Sequence, residues 1–229
     1  METEKLSHLR KLDMFSTLTV KELEELGPKI KLRSYPKNKL ILDESDTNQY
    51  MYGVIKGEVK AYRVSEDGRE IILAIRSEGK SFGELSMIDG KTAPAAVAAT
   101  EDSLVAVISK NDFRELINSQ KKITIKLLEI LCAQVRDSLK MQELMGQKNA
   151  SERVRMLLAG LAEERGDTTT KGVSIGMKLT HQRIADMTGL TRESVTRTLD
   201  KWKKNNLITI EHGKQIILSK DFFDECRVL

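Results

Sequence analysis

The chain has 229 residues, 40% of them hydrophobic and 31% charged, enough for one large or two small domains with a packed core in each. Its two cysteines, Cys132 and Cys226, are far apart and outside any CxxC spacing, which excludes a disulfide framework and a cysteine zinc site. The formal net charge is only +4, the first residues carry no apolar core of signal-peptide length, and no run of about 18 apolar residues follows, so a membrane span is excluded and the cytoplasm is the expected location.

The chain opens on a helical lead in which Leu12, Phe15, Leu18, Leu23 and Leu26 supply an apolar stripe, stopped by Gly27-Pro28. From Ile30 to about Ile108 the period becomes strand-like. Short β-rich runs are expected at 30–35, 39–42, 50–55, 58–64, 70–75, 97–99 and 104–108, parted by turn signals at Pro36-Lys37-Asn38, Gly57, Asp67-Gly68 and Gly79. Strands so closely spaced, with no helical pattern between them, imply an antiparallel sandwich or barrel, and Asp67-Gly68 marks a hairpin. Inside this region Phe82, Gly83, Glu84, Leu85 and Ser86 form the candidate effector site. A glycine lets backbone N–H groups approach an anion closely, and a carboxylate accepts hydrogen bonds from a sugar hydroxyl.

Asn111-Asp112-Phe113 opens a helical region, and a long helix is expected from about Ile123 to Gln147. Leu128, Leu131, Val135, Ser138, Gln142 and Met145 recur at alternating steps of three and four, the spacing of a coiled-coil seam; a core helix packed in its own domain is the alternative. The pattern breaks at Gly146 to Asn149, the expected hinge. A new helix beginning at Ser151 carries Val154, Leu157, Leu158 and Leu161 and ends at Arg165-Gly166-Asp167, followed by a polar loop at 168–172 and a short strand at 173–175.

The most informative stretch is LTHQRIADMTGLTRESVTRTLDKW, Leu179 to Trp202. Leu179, Ile184, Ala185, Met187, Leu190, Val195 and Leu199 are the apolar residues that two short helices need to bury against each other and a third. Gly189 sits where the chain must turn, and Thr191 N-caps the second helix with Glu193 in its first turn. Arg192, Glu193, Thr196 and Arg197 occupy the opposite face, suited to base edges, while His181, Gln182 and Thr191 are placed to hold phosphates. From Lys178 to Lys204 seven basic residues face three acids, a local net charge of +4 that equals that of the whole chain, as a phosphate-facing element requires. Beyond Asn205-Asn206, two β-runs about Glu211-His212-Gly213-Lys214 read as a wing, and Trp202 reads as core.

The stretch THQRIADMTGLTRESVTRTL resembles the helix-turn-helix of the cyclic-AMP receptor protein / FNR family of bacterial transcription regulators, and GEVKAYRVSEDGREIILAIRSEGKSFGELSMIDG is similar to the cyclic-nucleotide-binding β-roll of the same family. The two motifs stand in the family's order and cover nearly the whole chain. The resemblance implies an α+β fold: an N-terminal cyclic-nucleotide-binding-like antiparallel β-roll at 1–120, a dimerisation helix and hinge at 121–148, and a C-terminal winged helix-turn-helix at 149–229. It further implies a homodimer on an inverted repeat of TGTGA-like half-sites in double-stranded DNA, with RNA polymerase as a partner and a small effector in the roll. Ser138 falls where the family's dimer helix touches a nucleotide base. In the family's nucleotide binders an arginine nine or ten residues past the GEL element clamps the phosphate; here those positions are Ala93 and Pro94, and no arginine occurs between Arg76 and Arg114. The effector is therefore left open between a cyclic nucleotide, another ligand and none.

Three lone histidines, His8, His181 and His212, form no triad, and no phosphate-binding G-x-x-x-x-G-K-[ST] loop occurs, so no enzyme is expected. A haem-based gas or redox sensor of the same fold stays open as an alternative, with His8, Cys132 and several methionines as candidate iron ligands. So does a nucleotide-sensing module acting through protein contacts. The cysteine cluster of FNR-type iron–sulfur members is missing, since no cysteine precedes Cys132.

Overall fold

The computed structural model describes residues 2–211 and 215–224, which puts Cys226 and the expected wing tip, His212 to Lys214, outside the described residues. The chain divides into two compact units, Met1–Arg63 with Ile72–Ser138, and Val64–Ile71 with Leu139–Leu229.

In the first unit the helical lead is broken into α1 (Glu2–Arg10), a 3-10 turn at Asp13–Phe15 and α2 (Val20–Leu26). The break has a local cause. Thr19 accepts the backbone N–H of Glu22 while Glu22 accepts the N–H of Thr19, a capping box that starts a fresh helix where the apolar spacing alone suggests continuation. Eight strands follow: β1 (Ile30–Tyr35), β2 (Leu40–Leu42), β3 (Tyr50–Lys56), β4 (Glu58–Val64), β5 (Glu70–Ser77), β6 (Ser81–Phe82), β7 (Ala96–Ala99) and β8 (Ser103–Ser109), with α3 (Glu84–Asp89) between β6 and β7. They form two four-stranded sheets, ordered β1-β8-β3-β6 and β2-β7-β4-β5. At Asp67-Gly68 the expected hairpin closes: Ser65 accepts from Gly68 at 2.8 Å and donates to Arg69 O at 2.9 Å, with Gly68 at φ +80°. β6 and α3 are too short to leave a periodic trace in the sequence.

Alternation along β3 and β8 separates two cores. Tyr52, Val54, Val105 and Val107 face the inside of the roll, with Val59, Phe82, Ala93 and Val97. Met51, Ile55, Ala106 and Ile108 face the helices and pack with Leu9, Met14, Leu23, Phe113, Ile123 and Leu127. The last two belong to α5 (Lys121–Gly146), which follows α4 (Lys110–Ser119).

Helix α5 carries two apolar faces. Ile125, Leu128, Val135 and Leu139 are 48%, 56%, 60% and 59% exposed, and Cys132 is exposed between them. With Gln142 they run in steps of three and four. This exposed row shares Leu128, Val135 and Gln142 with the seam expected from the sequence and differs from it at the other positions. Leu131 instead packs against the core beneath α5, and Met145 turns towards Gly189, where its sulfur lies 3.4 Å from the position a Cβ there would take.

In the second unit, α6 (Ala150–Arg165) is N-capped by Asn149, whose side chain accepts from Ser151 N at 2.9 Å. β9 (Gly166–Thr169) and β10 (Gly172–Ile175) follow, then α7 (His181–Thr188), α8 (Arg192–Lys204), β11 (Ile208–Glu211), β12 (Gln215–Leu218) and α9 (Lys220–Asp224). The sheet is ordered β11-β12-β10-β9 and is antiparallel throughout. Trp202 is buried as expected and meets Phe222 edge-on at 5.4 Å. The Arg155 guanidinium lies 5.1 Å from the centre of each ring and donates to Phe222 O at 3.0 Å.

Candidate nucleic-acid interface and effector pocket

Helices α7 and α8 each start on a threonine cap, of which Thr191 is the one expected from the sequence. Thr180 caps α7 by accepting from Arg183 N at 3.0 Å, and Thr191 caps α8 by accepting from Ser194 N at 3.2 Å. Between them Gly189 takes φ +63°, ψ 25°, a left-handed conformation that a side chain would resist. Arg153 secures the turn from outside: its Nε donates to Gln147 O at 2.7 Å and its Nη1 to Thr188 O at 3.5 Å, using carbonyls that a helix end leaves free.

Val195, Leu199 and Trp202 bury one side of α8, while Arg192, Glu193 and Arg197 are exposed on the other. Arg197 donates to Ser194 Oγ at 3.2 Å, which steadies the guanidinium alongside the first turn. Thr196 is half-buried. Its hydroxyl meets His181 Nδ1 at 2.8 Å and donates to Arg192 O at 2.9 Å, so it joins α7 to α8. Gln182 and Thr191 are exposed, with Gln182 donating to Asp186 at 2.7 Å. The arginine stripe continues: Arg197, Asp200, Lys201, Lys204 and Asn205 line an open groove at the C-terminal half of α8. This extension is visible in the sequence only as charge density.

In the roll, Gly83 opens α3 at φ +87°. A Cβ there would stand 2.7 Å from Asn48 Nδ2, 2.9 Å from the Tyr52 ring and 3.1 Å from Tyr50 O, so packing alone demands glycine. Asn48 holds the two strands together, donating to Gly83 O at 2.7 Å and to Tyr50 O. Phe82 stacks on Tyr52 with ring centres 5.0 Å apart and planes 11° apart. Ser86 is buried, Leu85 is 40% exposed, and Glu84 is 3% exposed with an Oε2 that finds no hydrogen-bond partner among the described residues. Burial pushes the Glu84 carboxyl above the ordinary range, against the opposing pull of a backbone N–H, the Gln134 side chain and the Arg76 charge. Ser138 is exposed and donates to Gln134 O at 2.9 Å. Ala93 is buried inside the roll and Pro94 is exposed.

Arginines reach this region from strands remote in sequence, which a local motif search overlooks. Arg63 on β4 donates to Pro94 O at 2.8 Å and pairs with Glu44 at 3.9 Å. Arg33 on β1 places its guanidinium 5.2 Å from the centre of the Tyr50 ring. His8 is half-buried on α1 and Cys132 lies on the exposed face of α5; no group of three or more metal-ligating side chains occurs among the described residues. No helix among them is long and apolar enough to cross a membrane.

Residues 32–120 match the cyclic nucleotide-binding domain family and residues 152–222 the Crp-like helix-turn-helix domain family. The chain is 30% identical over 190 residues to the global nitrogen regulator of Synechococcus elongatus, covering 82% of this chain and 85% of that one. It is 26% identical over 200 residues to the cyclic AMP receptor protein of Thermus thermophilus, covering 87% and 89%. Among solved structures, a CooA variant from Carboxydothermus hydrogenoformans superimposes with a TM-score of 0.79 at 20% identity, covering 89% of each chain, a likeness of fold.

Proposed function

Since the chain belongs to the cyclic-AMP receptor protein / FNR family of transcription regulators, whose members matched here are regulators rather than enzymes, we propose that it works as a homodimer reading an inverted repeat of TGTGA-like half-sites. The observation that carries this reading is the exposed trio Arg192, Glu193 and Arg197 on the first turns of a capped helix whose other side is buried. At 100° per residue these three fan over roughly 140° of one face. Arginine matches the O6 and N7 acceptors of guanine, and glutamate accepts from the N4 donor of cytosine. His181, Gln182 and Thr191 at the helix starts hold phosphates and set register.

The exposed row from Ile125 to Leu139 on α5 supplies the two-fold. A symmetric site needs two copies of the reading helix, and an apolar heptad row on an otherwise solvated helix is what a second copy of the same helix covers. The division of labour is a sensing roll at 1–120, a dimer helix and hinge at 121–148 and a DNA-binding unit at 149–229, acting in the cytoplasm with RNA polymerase as the downstream partner. The roll is the effector-sensing part, centred on Phe82 to Ser86 with Ser138 on the dimer helix. Selection of bound duplexes from a random pool tests the reading: an inverted repeat of TGTGA-like halves should be enriched, and recovery of duplexes without two-fold symmetry would overturn it.

A further inference from the structure

On β1, Arg33 pairs directly with Val105 of β8, and Val105 faces the inside of the roll. Residues directly opposite in an antiparallel pair share a face, so Arg33 lies on the roll-facing side of β1, where its side chain is exposed at the rim. Tyr35, two residues on, shares that face and packs, like Tyr50, against the interior cluster. Tyr35, ahead of Tyr50, raises the pKa of the Arg33 guanidinium. The neighbouring Tyr52 phenol is pushed up to about 12, first by burial and then by Tyr35. Three tyrosines thus share one end of the roll interior, with the exposed Arg33 at its rim. The Tyr50 carbonyl and the Tyr52 ring are also the groups that wall in Gly83, so this cluster borders the GEL element directly. Asp46 is the nearest acid felt at Tyr52, it is exposed, and no carboxylate of a described residue pairs with Arg33.

We propose that the roll binds a small organic anion whose carboxylate or phosphate oxygens are held by the Arg33 guanidinium together with the Tyr35 and Tyr50 hydroxyls. This rests on the reading of the roll as the effector-sensing part, and it supplies from β1 the cation that positions 93 and 94 lack. The guanidinium offers a planar fork of N–H donors to two oxygens. Each phenol adds one O–H donor. A guanidinium stays charged throughout the accessible pH range.

All four tyrosines of the chain, Tyr35, Tyr50, Tyr52 and Tyr62, become reporters when the full-length protein is labelled with 3-fluorotyrosine. Three line the site. Tyr62 lies on β4 with its ring under Lys60 Nζ at 4.8 Å and serves as the internal control. The probes are sodium benzoate, inorganic phosphate and cyclic AMP, each titrated at constant ionic strength against chloride. At least one should shift the fluorine resonances of Tyr35 and Tyr50 saturably and leave Tyr62 in place, and the successful probe tells carboxylate from phosphate. Arg33→Met should weaken that binding by about tenfold or more, and Arg33→Lys, which keeps the charge without the fork, by less. Absence of a saturable shift with all three anions, equal movement of Tyr62, or an unchanged affinity in both variants would overturn the site. Operator binding by the same unlabelled wild-type protein separates the two readings: sequence-specific binding without tyrosine shifts rejects the anion site alone, whereas loss of sequence-specific binding rejects the proposed function.

Discussion

At the scale of single residues, contacts divide into those that select bases and those that hold the backbone. Arg197 is exposed and braced by Ser194, so Arg197→Ala should cost about 1–3 kcal/mol on the preferred operator and relax the choice of one base pair. His181 is tied to Thr196 at the start of α7, and His181→Ala should weaken all sequences about equally. Binding to a set of singly substituted operators at fixed salt distinguishes them; a uniform loss for Arg197→Ala would make that arginine a phosphate contact. Glu84 makes a prediction about stability. Its folded pKa is raised by burial, so the native state binds more protons than the unfolded one above the ordinary glutamate range, and stability falls as pH rises through that window. Glu84→Gln removes the titration. The variant should melt at a higher temperature than the wild type at pH 8 and at nearly the same temperature at pH 4. A gain of equal size at both pH values would show that ionisation of Glu84 is not the cost. At this scale the sequence is informative wherever a residue type has one local job: the cap Thr191 and the turn at Gly189 are legible from a few neighbours, whereas the Thr180 cap emerges only from the structure. Arg33 and Arg63 are not, because they reach the roll only once distant strands pair.

At the scale of elements, strands bounded by Gly, Pro or Asp-Gly signals can be read to within a residue or two; β1 and β4 coincide with the expected runs. The short elements β6, α3 and β9 carry too few residues for a period to register. Helix α5 shows a different limit. Its inward row of Ile123, Leu127 and Leu131 and its outward row of Ile125, Leu128, Val135 and Leu139 are both apolar, so a period count finds a stripe but cannot choose between faces. The structure chooses by burial, and that choice has a consequence. Val135 is 60% exposed in the single chain, so Val135→Glu should fold normally by circular dichroism yet sediment as a monomer, because dimerisation would bury the new charge unpaired. DNA affinity should fall with it. Leu131→Glu, which places the charge against the chain's own core, should instead lower thermal stability. A Val135→Glu protein that stays dimeric would mean that another face forms the two-fold.

At the scale of the whole molecule, the order of motifs makes the architecture legible: a β-rich segment ending in a GEL element, a long helix, then a capped helix-turn-helix. The second unit is the more readable because helix caps, turn glycine and outward arginines lie within one short stretch of chain. The roll is less so, since its interior is assembled from Tyr35, Tyr50, Tyr52, Phe82 and Ala93 on three strands and a loop. Its chemistry therefore depends on pairings that no local window contains. The central claim, a dimer presenting two α8 helices to one face of DNA, is tested most directly by measuring affinity and stoichiometry on duplexes carrying two TGTGA-like half-sites in inverted orientation. In one duplex the half-sites keep their selected spacing, and in the other they are moved apart by about five base pairs, half a helical turn. One dimer per duplex is expected at the selected spacing and at least about a tenfold loss on the shifted one, where the second half-site faces away. Equal affinity for both duplexes, or one monomer bound independently at each half-site, would contradict the central claim.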